Sequence, residues 1–276
     1  MSINTLESKV VLVTGSGRGI GRAFAQALGA AGANVILTGR TGTEISEAAA
    51  EIRSSGGNAS TIQADISQYD DVKFLAEAAL ATYGHVDILI NNAGTTGPIQ
   101  PIADTDPEQW WHTLEVNVRG SFLVARLLLP TMIDRMTGRI INITSGAAHS
   151  IFPNLSSYAV SKAAVVHFTR YLAAEVAPHN ISVLAFNPGF VQTSMLENAA
   201  TSPDVAPISR ETFRRVLISG HARSVSDIVP KLMYLAEGHA DSLSGCFLDF
   251  DDDLMKLVAR HDDVTANELY TLQRKT

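Results

Sequence analysis

A glycine-rich stretch near the N-terminus constrains the fold more than any other feature of this sequence. The stretch TGSGRGIG, residues 14–21, follows the apolar run KVVLVT and opens an alanine-rich helical segment that extends to Ala31. Glycines at such a junction let the backbone turn tightly and approach a pyrophosphate, and the helix N-terminus supplies amide donors and a positive dipole end. The strand–turn–helix context favours a nucleotide site over an ordinary glycine-rich turn, although the first glycine spacing is one residue wider than in G-x-G-x-x-G.

Apolar runs typical of buried strands alternate with helical segments along most of the chain. This alternation predicts a parallel sheet of about seven strands with helices on both faces, which is a Rossmann-type, doubly wound α/β fold. No linker divides the chain, so we expect a single domain over residues 1–276 with its core at about 7–250. The predicted strands are 9–14, 34–39, 59–64, 86–91, 138–143, 181–187 and 245–250.

Caps and breakers mark the predicted helices. Residues 67–70, SQYD, resemble a capping box, and residues 106–109, DPEQ, offer an N-cap aspartate followed by proline at the first helical position. This second helix is predicted to extend towards Met136. The segment 192–224 is too long for a plain connection, which favours a lid or binding loop. The other helices are predicted at 44–54, around Tyr158 as far as Ala177, and at 226–237.

Composition excludes several classes of function. The net charge of −7 and the pI near 5.6 argue against a nucleic-acid partner. The single cysteine, Cys246, excludes an intrachain disulfide and a cysteine-rich metal site, and the histidines show no metal-ligand spacing. The N-terminus does not resemble a secretory signal, and no apolar run reaches the ~18 residues of a membrane span. We therefore expect a soluble, cytoplasmic protein with no metal and no membrane association.

A tyrosine and a lysine lie one helical turn apart in the segment SYAVSKAAVV. Tyr158 and Lys162 therefore share one face of the predicted helix. An isolated Y-x-x-x-K pattern is usually an ordinary amphipathic helix with a solvated lysine. Only other features of the chain can raise this pair to a functional hypothesis.

Six short elements in order and spacing resemble the short-chain dehydrogenase/reductase family. Ser145 precedes Tyr158 by 13 residues, as in that family, and the resemblance covers about residues 7 to 250. Six matched elements are far more specific than any one of them, so the ordinary interpretation of Tyr158 and Lys162 becomes improbable. The elements are TGSGRGIG (14–21), NNAG (91–94), Asn117, Ser145, YAVSK (158–162) and NPG (187–189).

The resemblance implies four catalytic positions. Tyr158 would exchange a proton with the reacting oxygen, Ser145 would hydrogen-bond that oxygen, and Lys162 would also bind the nicotinamide ribose. Asn117, in the middle of a predicted helix, would hold a water that links Lys162 to solvent rather than being a solvated polar residue. Because a tyrosine pKa near ~10 is too high for proton exchange at neutral pH, we expect the Lys162 ammonium to lower the pKa of Tyr158.

The resemblance also implies a set of cofactor contacts. Asp65 matches the contact to the adenine amine and Thr193 the contact to the nicotinamide carboxamide, whereas a loop or N-cap role is the alternative for Asp65. The full set is Gly15, Ser16, Gly17, Arg18, Gly19, Ile20, Gly21, Arg40, Asp65, Ile66, Asn91, Ala93, Gly94, Tyr158, Lys162, Pro188, Gly189, Val191 and Thr193.

The end of the second predicted strand favours NADP(H). An acidic residue at this position would bind the ribose 2′-hydroxyl, whereas an arginine nearby accommodates a 2′-phosphate. Here the strand ends TGR, so that Gly39 occupies the acidic position and Arg40 follows it, while Arg18 lies in the glycine-rich turn. Both arginines suit a phosphate. The alternative is that both are solvated surface residues.

Substrate contacts are less constrained. Phe152, Phe190 and Met195 are candidates for an apolar pocket, and His149 is either a substrate contact or a core or rim residue. The acidic run at 249–253 is interpreted as a solvated strand exit rather than a metal site. It departs from the family, which usually has Asp-Gly-Gly where this chain has three aspartates at 251–253. The extension 251–276 covers the pocket, joins a subunit contact or is disordered.

These features together predict an NADP(H)-dependent oxidoreductase, such as a carbonyl reductase, that interconverts a ketone or aldehyde and a secondary alcohol. Reduction is the favoured direction with NADPH, and the substrate is a small or medium, partly apolar molecule. The resemblance implies a homotetramer or homodimer with helices around 107–136 and 156–177 at an interface. Three alternatives remain: an NAD-dependent alcohol dehydrogenase, a non-redox isomerase or dehydratase on the same site, and a nucleotide-binding sensor without turnover.

Overall fold

One parallel sheet of seven strands forms the centre of the fold in the computed structural model, which describes residues 5–267 and 269–271. The strands lie in the order β3-β2-β1-β4-β5-β6-β7, and every neighbouring pair is parallel. The predicted Rossmann-type sheet is confirmed. The strands are β1 Val10–Thr14, β2 Asn34–Gly39, β3 Asn58–Gln63, β4 Ile88–Asn91, β5 Gly138–Ile143, β6 Ile181–Asn187 and β7 Phe247–Asp249.

Helices connect the strands and cover both faces of the sheet. The helices are α1 Gly19–Ala30, α2 Gly42–Ser54, α3 Tyr69–Tyr83, α4 Pro107–Leu114, α5 Ser121–Asp134, α6 Ser156–Val176, α7 Ser194–Thr201, α8 Pro207–Ile218, α9 Val225–Ala236, α10 Leu254–Ala259 and α11 His261–Ala266. Between α4 and α5, residues Glu115–Gly120 continue the helix with π geometry.

The side chains of β1 show that the sheet is buried on both faces. Val11 and Val13 pack into one core cluster with residues of α1, α2 and α9. Val10 and Leu12 pack into a second cluster with residues of α3, α5 and α6. Successive side chains of a strand point to opposite faces, so a strand covered on both sides must be apolar throughout.

The long helix at residues 107–134 begins at the predicted cap. The Asp106 carboxylate accepts a hydrogen bond from the Gln109 amide, and Pro107 occupies the first turn. Of the helices in the described part of the chain, Pro107–Asp134 has the length and hydropathy of a membrane span, although the sequence showed no apolar run of that length. Half of its most apolar window is buried inside the protein.

Three local predictions are wrong. The capping box at Ser67 does not form, because α3 begins at Tyr69 and its N-cap residue, Gln68, makes no capping bond. The segment 192–224, hereafter the lid segment, was predicted to be a lid or a binding loop; it is not a loop, because it contains the helices α7 and α8, and its role as a lid stays a prediction. Strands β4 and β7 are shorter than predicted, because their pairing begins at Ile88 and Phe247, although the preceding residues Val86 and Cys246 are buried.

Candidate active site

A cleft of about 660 Å³ opens at the carboxyl ends of the strands. It is lined by the glycine-rich turn that follows β1 and by the segment that follows β4, the strand beside β1 where the strand order reverses. Such a reversal is where α/β sheets bind ligands, because the connecting segments diverge to opposite faces. The cleft also extends under the lid segment.

The glycine-rich turn has the geometry of a phosphate loop. Gly15 and Gly19 have φ of 62° and 56°, which disfavours other residues at these positions. A Cβ on Gly21 would lie 2.4 Å from the Gly15 carbonyl oxygen, so only glycine lets α1 approach the turn this closely. Gly21 and Ser16 were predicted to contact the cofactor, but both are buried and shape the turn without lining the cleft. The Ser16 hydroxyl donates a hydrogen bond to the Thr38 carbonyl at 3.2 Å.

The turn and its surroundings fit a dinucleotide. No side chain caps the N-terminus of α1, so its first amide groups remain available at the cleft, which Gly19 and Ile20 line. A Cβ on Gly19 would lie 3.4 Å from Thr193 Cγ2, in the gap between the turn and the segment after β6. Thr193 lines the cleft, as do Pro188, Gly189 and Val191.

Both predicted arginines lie at the end of the cleft formed by β1, β2 and β3. Arg18 and Arg40 line it and are exposed. Glu44, in the first turn of α2, also lines this end, and its carboxylate is 3.9 Å from the Arg18 guanidinium. The sequence analysis missed Glu44, although its position soon after the second strand could have indicated it.

Asp65 and Ile66 line the same region of the cleft. The Asp65 carboxylate accepts hydrogen bonds from the Ser67 amide at 2.9 Å and the Ser67 hydroxyl at 2.8 Å. The predicted loop role of Asp65 is thus present in the structure, and its second carboxylate oxygen has room for a further donor because Asp65 is only half-buried.

The segment after β4 contributes only part of what was predicted. Ala93 and Gly94 line the cleft, together with Asn92. Asn91 is buried behind them, where its Nδ2 donates to the Asn142 side chain at 2.9 Å and the Ser121 carbonyl at 3.3 Å. Asn91 therefore supports the sheet and the start of α5 rather than lining the cleft.

Ser145, Tyr158 and Lys162 meet on one wall of the cleft. The Tyr158 hydroxyl lies close to Ser145, which follows the end of β5. Lys162, one turn further along α6, is buried, and its Nζ donates to the Ile143 carbonyl at 2.8 Å. The same Nζ lies 5.5 Å from the centroid of the Tyr158 ring.

Asn117 connects the segment after β4 to α6. Its Oδ1 accepts from the Thr95 amide at 2.9 Å, and its Nδ2 donates to the Thr95 carbonyl at 2.9 Å and to Ser161 Oγ at 2.8 Å. Asn117 is buried within the π-helical segment, a distortion that is frequent at functional sites. These hydrogen bonds hold the segment after β4 against α6. The predicted role of Asn117 in holding a water stays a prediction.

The pKa of Tyr158 beside Lys162 is shifted in the direction opposite to the prediction. Burial lowers the pKa of Lys162 from 10.5 to about 8, because the ammonium loses its hydration. Burial also raises the pKa of Tyr158 above its ordinary value, although the hydrogen bond from Ser145 opposes this. The predicted lowering of the Tyr158 pKa is therefore wrong for the protein alone, because desolvation of the phenolate dominates.

The other end of the cleft is apolar. Phe152 and Phe190 line it with ring centroids 6.0 Å apart, and Phe213 of α8 follows at 6.5 Å from Phe190. Met195 lines it as well. The sequence analysis missed Phe213, which the amphipathic pattern of α8 could have indicated.

His149 lies outside this lining. It is exposed, its Nδ1 is 3.0 Å from the Gly146 carbonyl oxygen, and its ring contacts Phe247 at 5.2 Å between centroids. This placement supports the rim alternative rather than a substrate contact, because the backbone after β5 turns the side chain towards β7.

The comparison with known proteins agrees with this geometry. A family model described as short chain dehydrogenase matches residues 9–204. The chain belongs to the short-chain dehydrogenase family. It is therefore an oxidoreductase of a family that uses nicotinamide cofactors.

Individual members of the short-chain dehydrogenase family resemble the whole chain. The short chain dehydrogenase pigC of Monascus ruber is 30% identical over 269 residues, covering 95% of this chain and 85% of its own. An NAD⁺-bound xylitol dehydrogenase superposes with a TM-score of 0.82 at 26% identity, covering 88% of this chain and 98% of its own. A gluconate 5-dehydrogenase from Burkholderia cenocepacia in complex with NADP and tartrate superposes with a TM-score of 0.80 at 28% identity. The match covers 92% of this chain and 98% of the gluconate 5-dehydrogenase chain.

Proposed function

We propose that the protein is an NADP(H)-dependent oxidoreductase that interconverts a ketone or aldehyde and a secondary alcohol in the cytoplasm. The observation that carries this proposal is the convergence of Ser145, Tyr158 and Lys162 on a cleft whose other part is a glycine-rich phosphate turn. A binding protein would need the turn but not a tyrosine placed beside Ser145 and a buried ammonium.

Tyr158 acts as the proton donor in the reducing direction. Because burial raises its pKa, the phenol keeps its proton at neutral pH and can give it to a carbonyl oxygen in the cleft. Ser145 donates a hydrogen bond to the same oxygen, and the Lys162 ammonium stabilises the phenolate that remains. When bound, the nicotinamide supplies the hydride. Lys162 is mostly protonated below its pKa of about 8, so this arrangement works at neutral pH.

Two arginines and the absence of an acidic residue at Gly39 support NADP(H). A 2′-phosphate at this end of the cleft would meet the guanidinium groups of Arg18 and Arg40. Arg18 is partly neutralised by Glu44, whereas no described carboxylate pairs with Arg40. Arg40 is therefore the residue that we expect to distinguish the two cofactors. Relatives with NAD⁺ and with NADP both occur in the family.

Replacing Arg40 with alanine is expected to raise the Kd for NADPH about 10- to 100-fold and to leave the Kd for NADH within about twofold, because only NADPH carries the phosphate that this guanidinium binds. Fluorescence titration of both nucleotides at fixed salt measures this. Arg214→Ala is the matched control, since it removes the same charge from an exposed site outside the cleft lining. Equal weakening of NADPH and NADH binding would contradict the assignment of Arg40.

We further propose a homodimer or homotetramer built on α5 and α6. Phe122 and Tyr171 are large apolar residues on these helices with 44% and 61% of their surface exposed. Phe122 also contacts Phe168 of α6 at 6.2 Å between ring centroids, so the two helices share one surface. Burial of this surface against a second copy would remove the cost of exposing it to water.

The variant Phe122→Glu is expected to release subunits, because it inserts a charge into the proposed contact. Light scattering of the wild type should give a multiple of 29.5 kDa, and the variant should give a smaller multiple. Phe74→Glu on α3 is the control, since Phe74 is 60% exposed outside this surface. A wild-type mass of 29.5 kDa would refute the oligomer.

A further inference from the structure

The part of the cleft beyond Tyr158 is walled by apolar side chains from three segments. Phe152 and Leu155 come from the segment before α6, and Phe190 follows β6. The lid segment adds residues of α7, α8 and the turn between them. These side chains form one hydrophobic cluster against which the Tyr158 ring packs. Those contributed by the lid segment are Leu196, Ala199, Val205 and Phe213.

Charge is distributed very unevenly along the cleft. Six charged side chains line it, and four of them, Arg18, Arg40, Glu44 and Asp65, lie at the end near β1, β2 and β3. Lys162 is buried and donates to the Ile143 carbonyl at the junction of the two parts. Among the described residues, the apolar part therefore presents one charged side chain, that of Asp204.

The nearest arginines of the lid segment already have partners and do not themselves line the cleft. Arg210 Nη1 donates to the Ser202 carbonyl at 3.2 Å. Arg223 pairs with Asp251 at 2.6 Å and stacks on the Phe250 ring at 4.2 Å. Neither lines the cleft, so neither offers a cation to a bound anion.

The backbone around Asp204 is fixed against the segment after β4. The Gln100 side chain donates to the Asp204 carbonyl at 3.1 Å, and the Ala206 amide donates to the Ile99 carbonyl at 2.8 Å. On the other side of the lid segment, Asn154 donates to Ser209, which donates to the Pro153 carbonyl. These bonds fix the backbone of Asp204 at the rim of the apolar part of the cleft, hereafter the apolar chamber, where the Asp204 side chain is exposed.

From this arrangement we propose that the protein acts on uncharged, apolar ketones or alcohols, and that Asp204 excludes carboxylates from the chamber. The inference rests on the proposed oxidoreductase function and names its substrate class. An anionic substrate would lose water to an apolar wall and would meet a carboxylate without a compensating cation. The overall charge of −7 adds to this repulsion.

A pair of matched ketones tests the proposal: methylcyclohexanone, and the oxocyclohexanecarboxylate with the same ring. With NADPH, the wild type is expected to favour the neutral ketone in kcat/KM by about 100-fold. In Asp204→Lys this preference should fall by about tenfold or more, because the carboxylate now meets a cation. Glu211→Lys is the control, since it makes the same charge change on an exposed part of α8 outside the cleft lining, and should leave the preference unchanged.

Equal or greater activity on the carboxylate ketone would overturn the proposal, as would an unchanged preference in Asp204→Lys. Thermal-shift titration of both ketones in the presence of NADPH reports binding independently of turnover. If neither ketone is reduced but the neutral one binds selectively, the oxidoreductase proposal fails while the substrate class stands. If the neutral ketone has no binding advantage, the substrate class is wrong regardless of turnover.

Discussion

Replacing Tyr158 with phenylalanine is expected to lower kcat for ketone reduction about 10²- to 10⁴-fold, the range that a positioned proton donor contributes. Phenylalanine keeps the ring that packs in the apolar cluster beside the cleft and removes only the hydroxyl that lies close to Ser145. The Kd for NADPH should therefore stay within about twofold of wild type, because the glycine-rich turn and Arg40 are untouched.

Tyr171→Phe is the matched control for this substitution. Tyr171 lies on the same helix, α6, but is 61% exposed and does not line the cleft. Removal of the Tyr171 hydroxyl should leave kcat unchanged. If Tyr158→Phe retained near wild-type turnover, the proton donor would have to be another group and the role given to Tyr158 would be wrong.

Replacing Lys162 with methionine is expected to abolish measurable turnover and to make the protein more stable at neutral pH. Burial lowers the pKa of this ammonium from 10.5 to about 8, which corresponds to a cost of about 3 kcal/mol when the group is charged in the folded state. Loss of the hydrogen bond to the Ile143 carbonyl offsets about 1 kcal/mol of the gain. Turnover is lost because the phenolate of Tyr158 no longer has a neighbouring cation.

The pH dependence of this gain has a definite sign. Below pH 8 the wild type is protonated at Lys162 both folded and unfolded, so the full cost is present. Between about pH 8 and the unfolded pKa near ~10.4, the unfolded chain binds more protons, and the wild type gains stability as pH rises. Denaturant unfolding at pH 7 and pH 10 should therefore show the advantage of the variant shrinking. The exposed Lys73→Met is the control, and the account fails if the variant is equally or less stable at pH 7.

The fold could be predicted because most of its strands are short runs of apolar residues that can be recognised in the sequence. The bounds of β2, β5 and β6 agree with the apolar runs, since strands buried on both faces need apolar residues throughout. The helices of the lid segment could not be predicted with the same ease. Most residues of α8 are exposed, and its burial depends on residues such as Ser209 and Phe213 that pack over the cleft. Contacts with distant segments, rather than local sequence, stabilise this part.

The candidate site also contains some residues that could be predicted from the sequence and others that could not. Short motifs indicated Ser145, Tyr158 and Lys162, and the structure brings them together at one wall. Spacing alone could not indicate that Asn91 lies behind the lining, or that desolvation controls the Tyr158 pKa. Both depend on how the β4 and α6 segments are buried. Glu44 reaches the cleft from the first turn of α2, soon after β2, whereas no local pattern places Asp204 there, because it lies far along the chain between α7 and α8.

Transfer of deuterium from NADPH deuterated at the hydride position tests the central proposal most directly. The protein should convert a neutral ketone to an alcohol that carries one deuterium on the carbinol carbon, with one cofactor oxidised per product molecule, as mass spectrometry and nicotinamide absorbance report. Conversion of a substrate without deuterium incorporation or net cofactor oxidation would contradict the proposal and favour a non-redox isomerase or dehydratase on the same residues.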